Sequence, residues 1–188
     1  MTQQNSVKKI NTLDLNIEAD QLLKGPRNPI FLVLDNIRSA FNVGAAFRTS
    51  DAARLQEINL CGISAFPPNP KLEKTALRST DVVPWKYYKT SLEAVQEFKK
   101  QKIPVCAVEL TNVSTNFWNY SFPKPVALVF GHEVTGVDEE VLQLADKHVY
   151  IPMFGRKTTI NVSTALGVVI FEILRQWESN RMNNSPPE

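Results

Sequence analysis

Three short polar segments carry the side chains of this sequence that are best suited to chemistry. NVGAAFRT holds Asn42 and Arg48, GHEVTG holds Glu133, and TINVS holds Thr159 and Asn161. Each segment follows an apolar run typical of a buried strand, at residues 30–34, 126–130 and 149–153. Open α/β sheets bind ligands in the loops just past their strand ends. The placement therefore predicts one site assembled from three loops.

Each of these side chains also has an ordinary structural interpretation. Arg48 fits the exposed face of an amphipathic helix, and Glu133 fits a cap of the turn that follows its strand. Asn161 with Ser163 has the chemistry of a helix N-cap. His132 is interpreted as an exposed loop residue. Only the combination of segments favours a functional site.

Several familiar catalytic patterns are absent from the sequence. It contains neither GxGxxG after the first strand nor GxxxxGK[ST], the two common phosphate-binding loops. Its two histidines, His132 and His148, are not accompanied by a GxSxG nucleophile motif, and no Cys/His spacing resembles a metal site. We therefore expect no metal and no hydrolase triad.

The composition is that of an ordinary globular protein. The 188 residues are 43% hydrophobic and 21% charged, which suits one domain with a sizeable core. A net charge of +2 means that any polyanion must bind a local basic surface. Cys61 and Cys106 lie in apolar runs and are predicted to be buried free thiols. With no apolar run near the ~18 residues of a membrane span, we expect no membrane association and a cytoplasmic location.

Strands and helices alternate along the chain from residue 30. Strands are predicted at 30–35, 57–62, 105–109, 126–130 and 148–153, and helices at 40–54, 73–77, 91–102, 138–145 and 162–182. Ser91 is the predicted N-cap of its helix. Several strands are apolar without alternation, which predicts an α/β fold with a mostly parallel sheet and helices on both faces. We divide the chain into an N-terminal extension (1–28, with a short helix at 13–23), a main domain (29–180) and a disordered tail (181–188).

Two apolar features leave alternatives open. The aromatic residues Trp85, Tyr87 and Tyr88 suit either a base-stacking surface or a sheet edge packed on a helix. The last helix carries an apolar stripe too broad for the sheet alone to cover. Its members are Val162, Ala165, Leu166, Val169, Ile170, Ile173, Leu174 and Trp177.

Taken together, the three segments resemble the SpoU/TrmH family of RNA ribose 2′-O-methyltransferases, in the SPOUT superfamily. The family motif N-x-G followed by arginine matches Asn42, Gly44 and Arg48. The motif G-x-E-x-x-G matches residues 131–136, and I-P-M followed by S-L-N-V-S matches 151–153 and 159–163. The resemblance covers roughly residues 30 to 177, so the main domain is identified as a SpoU-type methyltransferase domain.

The resemblance implies properties that the residues alone do not. The chain would end in a deep trefoil knot that forms the pocket for S-adenosylmethionine, although general topology rules predict an unknotted sheet. It would act as a homodimer through its last helix. The size of the chain and the lack of a separate RNA-binding domain favour transfer RNA over ribosomal RNA as the substrate. Basic patches would then join across the dimer, from Lys8, Lys9, Lys24 and Arg27.

The resemblance also implies roles for particular residues. Arg48 would fix a substrate phosphate and orient the reacting 2′-hydroxyl, since a guanidinium binds phosphate bidentately but hardly loses a proton. Asn42 and Glu133 would hold the loop and Arg48, while Asn161 and Thr159 would position the substrate or the cofactor tail. The residues implied to surround the adenosine of the cofactor are Leu110, Gly131, Ile151, Met153 and Ile160.

The sequence departs from the family pattern at two places. Thr159-Ile160 stands where the family has Ser-Leu, and Val134 stands where many members have glycine, which predicts a less permissive loop. Three alternatives remain: a ribosomal RNA methyltransferase, a catalytically inactive RNA-binding protein on the same fold, and an unrelated α/β enzyme acting on nucleotides or sugar phosphates.

Overall fold

The computed structural model describes residues 25–183, which contain seven strands and five helices. The strands are β1 (Asn28–Asp35), β2 (Leu55–Cys61), β3 (Trp85–Tyr88), β4 (Val105–Val108), β5 (Thr115–Asn116), β6 (Val126–Phe130) and β7 (Lys147–Tyr150). The helices are α1 (Ala40–Ala52), α2 (Pro70–Ala76), α3 (Ser91–Lys100), α4 (Glu139–Leu144) and α5 (Val162–Asn183). The predicted helix at 13–23, the basic residues Lys8, Lys9 and Lys24, and tail residues 184–188 lie outside the described residues. Helix α5 extends three residues into the segment predicted to be disordered.

All seven strands are parallel and form one sheet in the order β3-β2-β1-β6-β4-β7-β5. The mostly parallel sheet predicted from apolar runs is confirmed. Strand β1 lies between β2 and β6, with Leu34 opposite both Leu60 and Phe130. Because the strands share one direction, their carboxyl ends share one edge. The loops after β4, β6 and β7 all leave from that edge.

Helices cover both faces of the sheet, as predicted. Helices α1, α2 and α5 pack on one face, where Phe47 and Ile173 are fully buried. Helices α3 and α4 pack on the other, where the ring of Phe98 lies 5.1 Å from that of Phe31. The site loops are therefore mounted on a sheet that is buried on both sides.

Several element boundaries differ from the predictions. Strand β7 ends at Tyr150 rather than at residue 153, because β4 and β5 supply its pairing partners only that far. Helix α3 is capped by Thr90 and not by Ser91, since the Thr90 hydroxyl accepts a hydrogen bond from the Glu93 amide at 3.2 Å. The short strands β3 and β5 were not predicted. Strand β3 places the aromatic run at a sheet edge, paired with β2, where Tyr87 remains 43% exposed.

The chain itself buries half of the apolar stripe of α5, and packs against the partly buried other half, Val162, Ala165, Leu174 and Trp177. Leu166, Ile170 and Ile173 are no more than 1% exposed. The loop after β5 packs on the end of the stripe, where the Trp177 indole donates a hydrogen bond to the Phe122 carbonyl at 3.1 Å. The exposed apolar surface of α5 lies on a neighbouring face of the helix.

Two further predictions concern the bulk properties. Cys61 and Cys106 are both buried and free, as predicted, and burial raises the pKa of both thiols, to about 12 for Cys106. No helix within residues 25–183 is long and apolar enough to cross a membrane.

Candidate functional site

Glu133 joins the loop after β6 to the start of α1. Its carboxylate accepts hydrogen bonds from the backbone amides of Arg38 (3.0 Å) and Ser39 (3.3 Å) and from Nδ2 of Asn42 (2.9 Å). Partial burial tends to raise the pKa of Glu133, but these hydrogen bonds outweigh it and hold the pKa below its ordinary value. The carboxylate is therefore ionised at neutral pH and holds two loops together.

Asn161 connects the third motif to the other two. Its Nδ2 donates to Oδ1 of Asn42 at 3.2 Å, while its Oδ1 accepts from the amide (2.8 Å) and the hydroxyl (2.6 Å) of Ser163. Asn161 thus caps α5, as the ordinary interpretation predicted, and it also binds another motif. The three segments meet in one network that runs through Glu133, Asn42 and Asn161.

Arg48 lies apart from this network. It is six residues after Asn42 on α1, about 9 Å further along the helix axis. Its side chain is exposed and makes no hydrogen bond or ion pair with any residue between 25 and 183. Asn42 and Glu133 bind each other rather than Arg48, so the predicted support of Arg48 by these two side chains is not what the structure shows.

A cavity of about 320 Å³ opens where the loops after β4 and β7 meet. Its walls include five predicted site residues: Leu110, Ile151, Met153, Thr159 and Ile160. A second cavity, of about 430 Å³, shares Thr159 and Ile160 with the first and continues to Gly131 and Glu133. The predicted cofactor residues and the hydrogen-bond network therefore lie in one continuous depression at the sheet edge.

The two glycines of the second motif, Gly131 and Gly136, are required for different physical reasons. A Cβ on Gly131 would lie 2.2 Å from both the carbonyl carbon of Gly136 and the nitrogen of Val137, so the close approach of backbone segments requires glycine. Gly136 has a φ of 74°, which favours glycine through conformation. Val134 lies between them, is exposed, and has no positive φ. The loop therefore accommodates valine there.

Glu109 is a site residue that sequence reasoning missed. It directly follows β4, and its carboxylate accepts hydrogen bonds from the amides of Leu110 and Val137, both at 3.1 Å. It ties the loop after β4 to the loop after β6 and lines both cavities. A lone acidic residue at the end of an apolar run was the available signal. A carboxylate at this position can accept further hydrogen bonds, from hydroxyl or ammonium groups.

Comparison with known proteins agrees with this architecture. A model of the SpoU rRNA methylase family matches residues 29–171. The tRNA (guanosine(18)-2'-O)-methyltransferase of Aquifex aeolicus (strain VF5) is 30% identical over 169 residues, which are 88% of this chain and 78% of that protein. The matched residues include all three motifs and every residue that lines the two cavities.

Solved structures show the same fold. The A. aeolicus TrmH/SpoU tRNA modifying enzyme has a TM-score of 0.76 at 29% identity, over 88% of this chain and 84% of that one. The AdoMet-bound rRNA methyltransferase of Sinorhizobium meliloti has a TM-score of 0.71 at 26% identity. That match covers 80% of this chain and 57% of the S. meliloti chain.

Proposed function

Since the chain belongs to the SpoU rRNA methylase family, it is an S-adenosylmethionine-dependent RNA 2′-O-methyltransferase, and we propose that its substrate is transfer RNA. The observation that supports a methylation site at this edge of the sheet is the meeting of the three motifs in one network beside two adjoining cavities. The tRNA methyltransferase of A. aeolicus supports transfer RNA. Ribosomal RNA is the second candidate, supported by the S. meliloti enzyme.

The first cavity fits the adenosine part of the cofactor. Its volume of about 320 Å³ is at the lower end of the usual range for small-molecule sites, roughly 300–1,000 Å³. Leu110, Ile151 and Met153 supply apolar walls for a base, and the Glu109 carboxylate supplies an acceptor for ribose hydroxyls. The bound cofactor supplies a methyl group on a positively charged sulfur. The second cavity, which reaches Glu133, is then the space for the reacting nucleotide.

Arg48 is the residue proposed to orient the substrate. A ribose hydroxyl is a weak nucleophile until its proton is being lost, so the site must position it and favour the developing oxyanion. The exposed guanidinium has no partner among residues 25–183, which leaves both edges available for a phosphate. Because a guanidinium remains protonated, Arg48 binds and orients rather than acting as a base.

The test of this role compares three variants. Arg48→Ala should lower the turnover of transfer RNA methylation by about two or three powers of ten, while calorimetry shows unchanged S-adenosylmethionine affinity. Arg48→Lys should also fail, because a point charge cannot replace the planar fork. Lys100→Ala removes an exposed cation on α3, across the sheet, and should leave turnover unchanged. Near-normal turnover by Arg48→Lys would contradict the proposed role of Arg48.

The substrate itself is tested by mapping 2′-O-methyl groups. Transfer RNA from a strain lacking the gene should miss one such group, and the purified protein should restore it. If ribosomal RNA misses the group instead, the second candidate is correct. We also propose that the activity is cytoplasmic, because transfer RNA is the proposed substrate.

A homodimer through α5 is a further part of the proposal. Val168 and Phe171 are 40% and 51% exposed on the outer face of α5, and Gly167 beside them has open space where a Cβ would lie. Phe171→Glu should therefore give monomers that lose RNA methylation although Arg48 is intact. Light scattering that finds a fully active monomer at working concentration would contradict this.

We also propose the trefoil knot that the family resemblance implies. After β7, residues 151–161 pass along the cavities between the loops that follow β4 and β6. The chain then enters α5, which packs with α1 in the same core. Stretching the unfolded chain from both ends tests the knot, since a tightened trefoil makes the extended length shorter than the residue count requires.

A further inference from the structure

A groove of about 630 Å³ opens beside the Glu133 network, outside the two cavities described above. It lies between the start of α1 and the loop that joins β2 to α2. The lining residues that matter here are Arg38, Phe66 and Lys71. One end of the groove is formed by Arg38 and Ser39, whose backbone amides hold Glu133. The groove is therefore continuous with the proposed site.

An exposed and braced aromatic ring forms one wall. Phe66 is 45% exposed, yet its ring is held by Tyr87 at 4.8 Å and by Trp85 at 6.5 Å between centroids. Tyr87 is fixed in turn, because its hydroxyl donates to the Gly62 carbonyl at 3.1 Å. Aromatic rings that are exposed but held in place are the surfaces on which proteins stack unpaired nucleobases.

Two cations stand on the same groove. Arg38 and Lys71 are exposed, and neither side chain has a hydrogen bond or ion pair with another residue in the part of the chain that the structure describes. The groove is lined by no acidic residue from that part of the chain. The Glu133 carboxylate lies behind the Arg38–Ser39 end of the groove, on the backbone amides of those two residues. The lining itself therefore presents two cations and no carboxylate, which suits the phosphates of a nucleic acid strand.

We propose that this groove binds an unpaired nucleotide that flanks the methylated one. Its base stacks on Phe66, and its phosphates contact Arg38 and Lys71. The proposal rests on the proposed function, because it takes the substrate to be RNA. It adds a substrate requirement: a base in a duplex has no free face to stack, so the neighbour of the methylated nucleotide must be unpaired.

The stacking contact is tested by changing the ring at position 66. Phe66→Leu keeps apolar bulk but removes the ring face, and it should raise the KM for transfer RNA about tenfold. Turnover at saturating RNA and S-adenosylmethionine affinity should stay unchanged. Phe66→Trp should restore the KM because it restores a stacking surface. Lys100→Ala, on the other face of the sheet, is the control for a change that leaves the groove intact.

The phosphate contacts are tested by salt dependence. For single strands, each phosphate contact contributes about 0.7 to the slope of log affinity against log salt concentration. The double variant Arg38→Ala, Lys71→Ala should therefore lower that slope by about 1.4 in binding assays with transfer RNA. The backbone amide of Arg38 is unaffected, so the Glu133 network remains.

Three outcomes decide the proposal. Variants with wild-type KM and salt slope overturn it and leave the groove open to another ligand. A fall in turnover or cofactor affinity at unchanged KM also overturns it, because the groove would then support the first cavity. The wild-type protein is measured first. If it neither binds nor methylates transfer RNA, the proposed function itself is contradicted, before any variant is compared.

Discussion

Glu133 offers a way to separate the geometry of the site from the stability of the fold. Its carboxylate joins two loops through three hydrogen bonds, from two backbone amides and from the Asn42 side chain. The variant Glu133→Gln keeps the size and shape of the side chain. It removes the negative charge and replaces one acceptor oxygen with an NH₂ group that can only donate.

The structure sets the size of the effect. Oε1 of Glu133 accepts two hydrogen bonds and Oε2 accepts one. In the glutamine variant the NH₂ group replaces one of these oxygens, so at least one hydrogen bond is lost and the NH₂ group faces another N–H donor. Buried hydrogen bonds to charged groups contribute about 1.5–3 kcal/mol. These bonds are exposed, so we expect a stability loss of about 1 kcal/mol and a Tm lower by roughly 2–4 °C. Because a displacement of ~1 Å in a site can cost about a hundredfold in rate, turnover should fall roughly tenfold to hundredfold.

The assay measures turnover on transfer RNA, cofactor affinity and Tm for the same preparations. Glu93→Gln is the matched control, because Glu93 also accepts a backbone hydrogen bond, from the Lys89 amide at 3.2 Å, on the opposite face of the sheet. It should lower the Tm by a similar small amount and leave turnover unchanged. Wild-type turnover in Glu133→Gln would refute the reasoning, since the network would then hold the fold and not the site.

Three further predictions follow from packing and charge. Gly131→Ala should abolish cofactor binding in calorimetry, because its Cβ would lie 2.2 Å from neighbouring backbone atoms. Ile173→Glu should prevent folding, as circular dichroism would show, whereas Phe171→Glu should not, because Ile173 is fully buried and Phe171 is half exposed. The Tm difference between wild type and Glu133→Gln should shrink as the pH falls below about 4 in thermal melts. The pKa of Glu133 is lower in the folded state than in the unfolded state. The ionised carboxylate therefore stabilises the fold above the ordinary glutamate pKa, and this stabilisation is lost as the pH falls through the pKa of the folded state.

The central strands and the site loops could be predicted because their sequence signals are local. The runs at 30–34 and 126–130 are apolar without alternation, and they form the neighbouring strands β1 and β6 in the middle of the sheet. Strand β3 gave no such signal, because it has four half-exposed or exposed residues at the sheet edge and is defined by its pairing with β2. A short edge strand owes its conformation to its neighbour more than to its own side chains.

Helix α5 shows a different limit. The spacing of its apolar residues correctly predicts that one face is buried, and Leu166, Ile170 and Ile173 are buried. The spacing of apolar residues predicts that a helix face is buried, but it does not identify the residues that pack on that face. Here the sheet, α1 and the loop after β5 provide it. The residues left for a second copy, Val168 and Phe171, lie outside the stripe that the sequence singled out.

Arg48 shows what a motif leaves undetermined even when its residues are identified. Six residues of helix separate it from Asn42, which is about 600° of rotation, so the two side chains leave α1 about 120° apart and about 9 Å apart along the axis. The Asn42 side chain hydrogen-bonds to Glu133 and to Asn161 on its own face of the helix. Arg48 makes no contact with that network in the structure. Under the proposed function, the RNA strand or the site of a second copy of the chain would span the distance between Arg48 and that network.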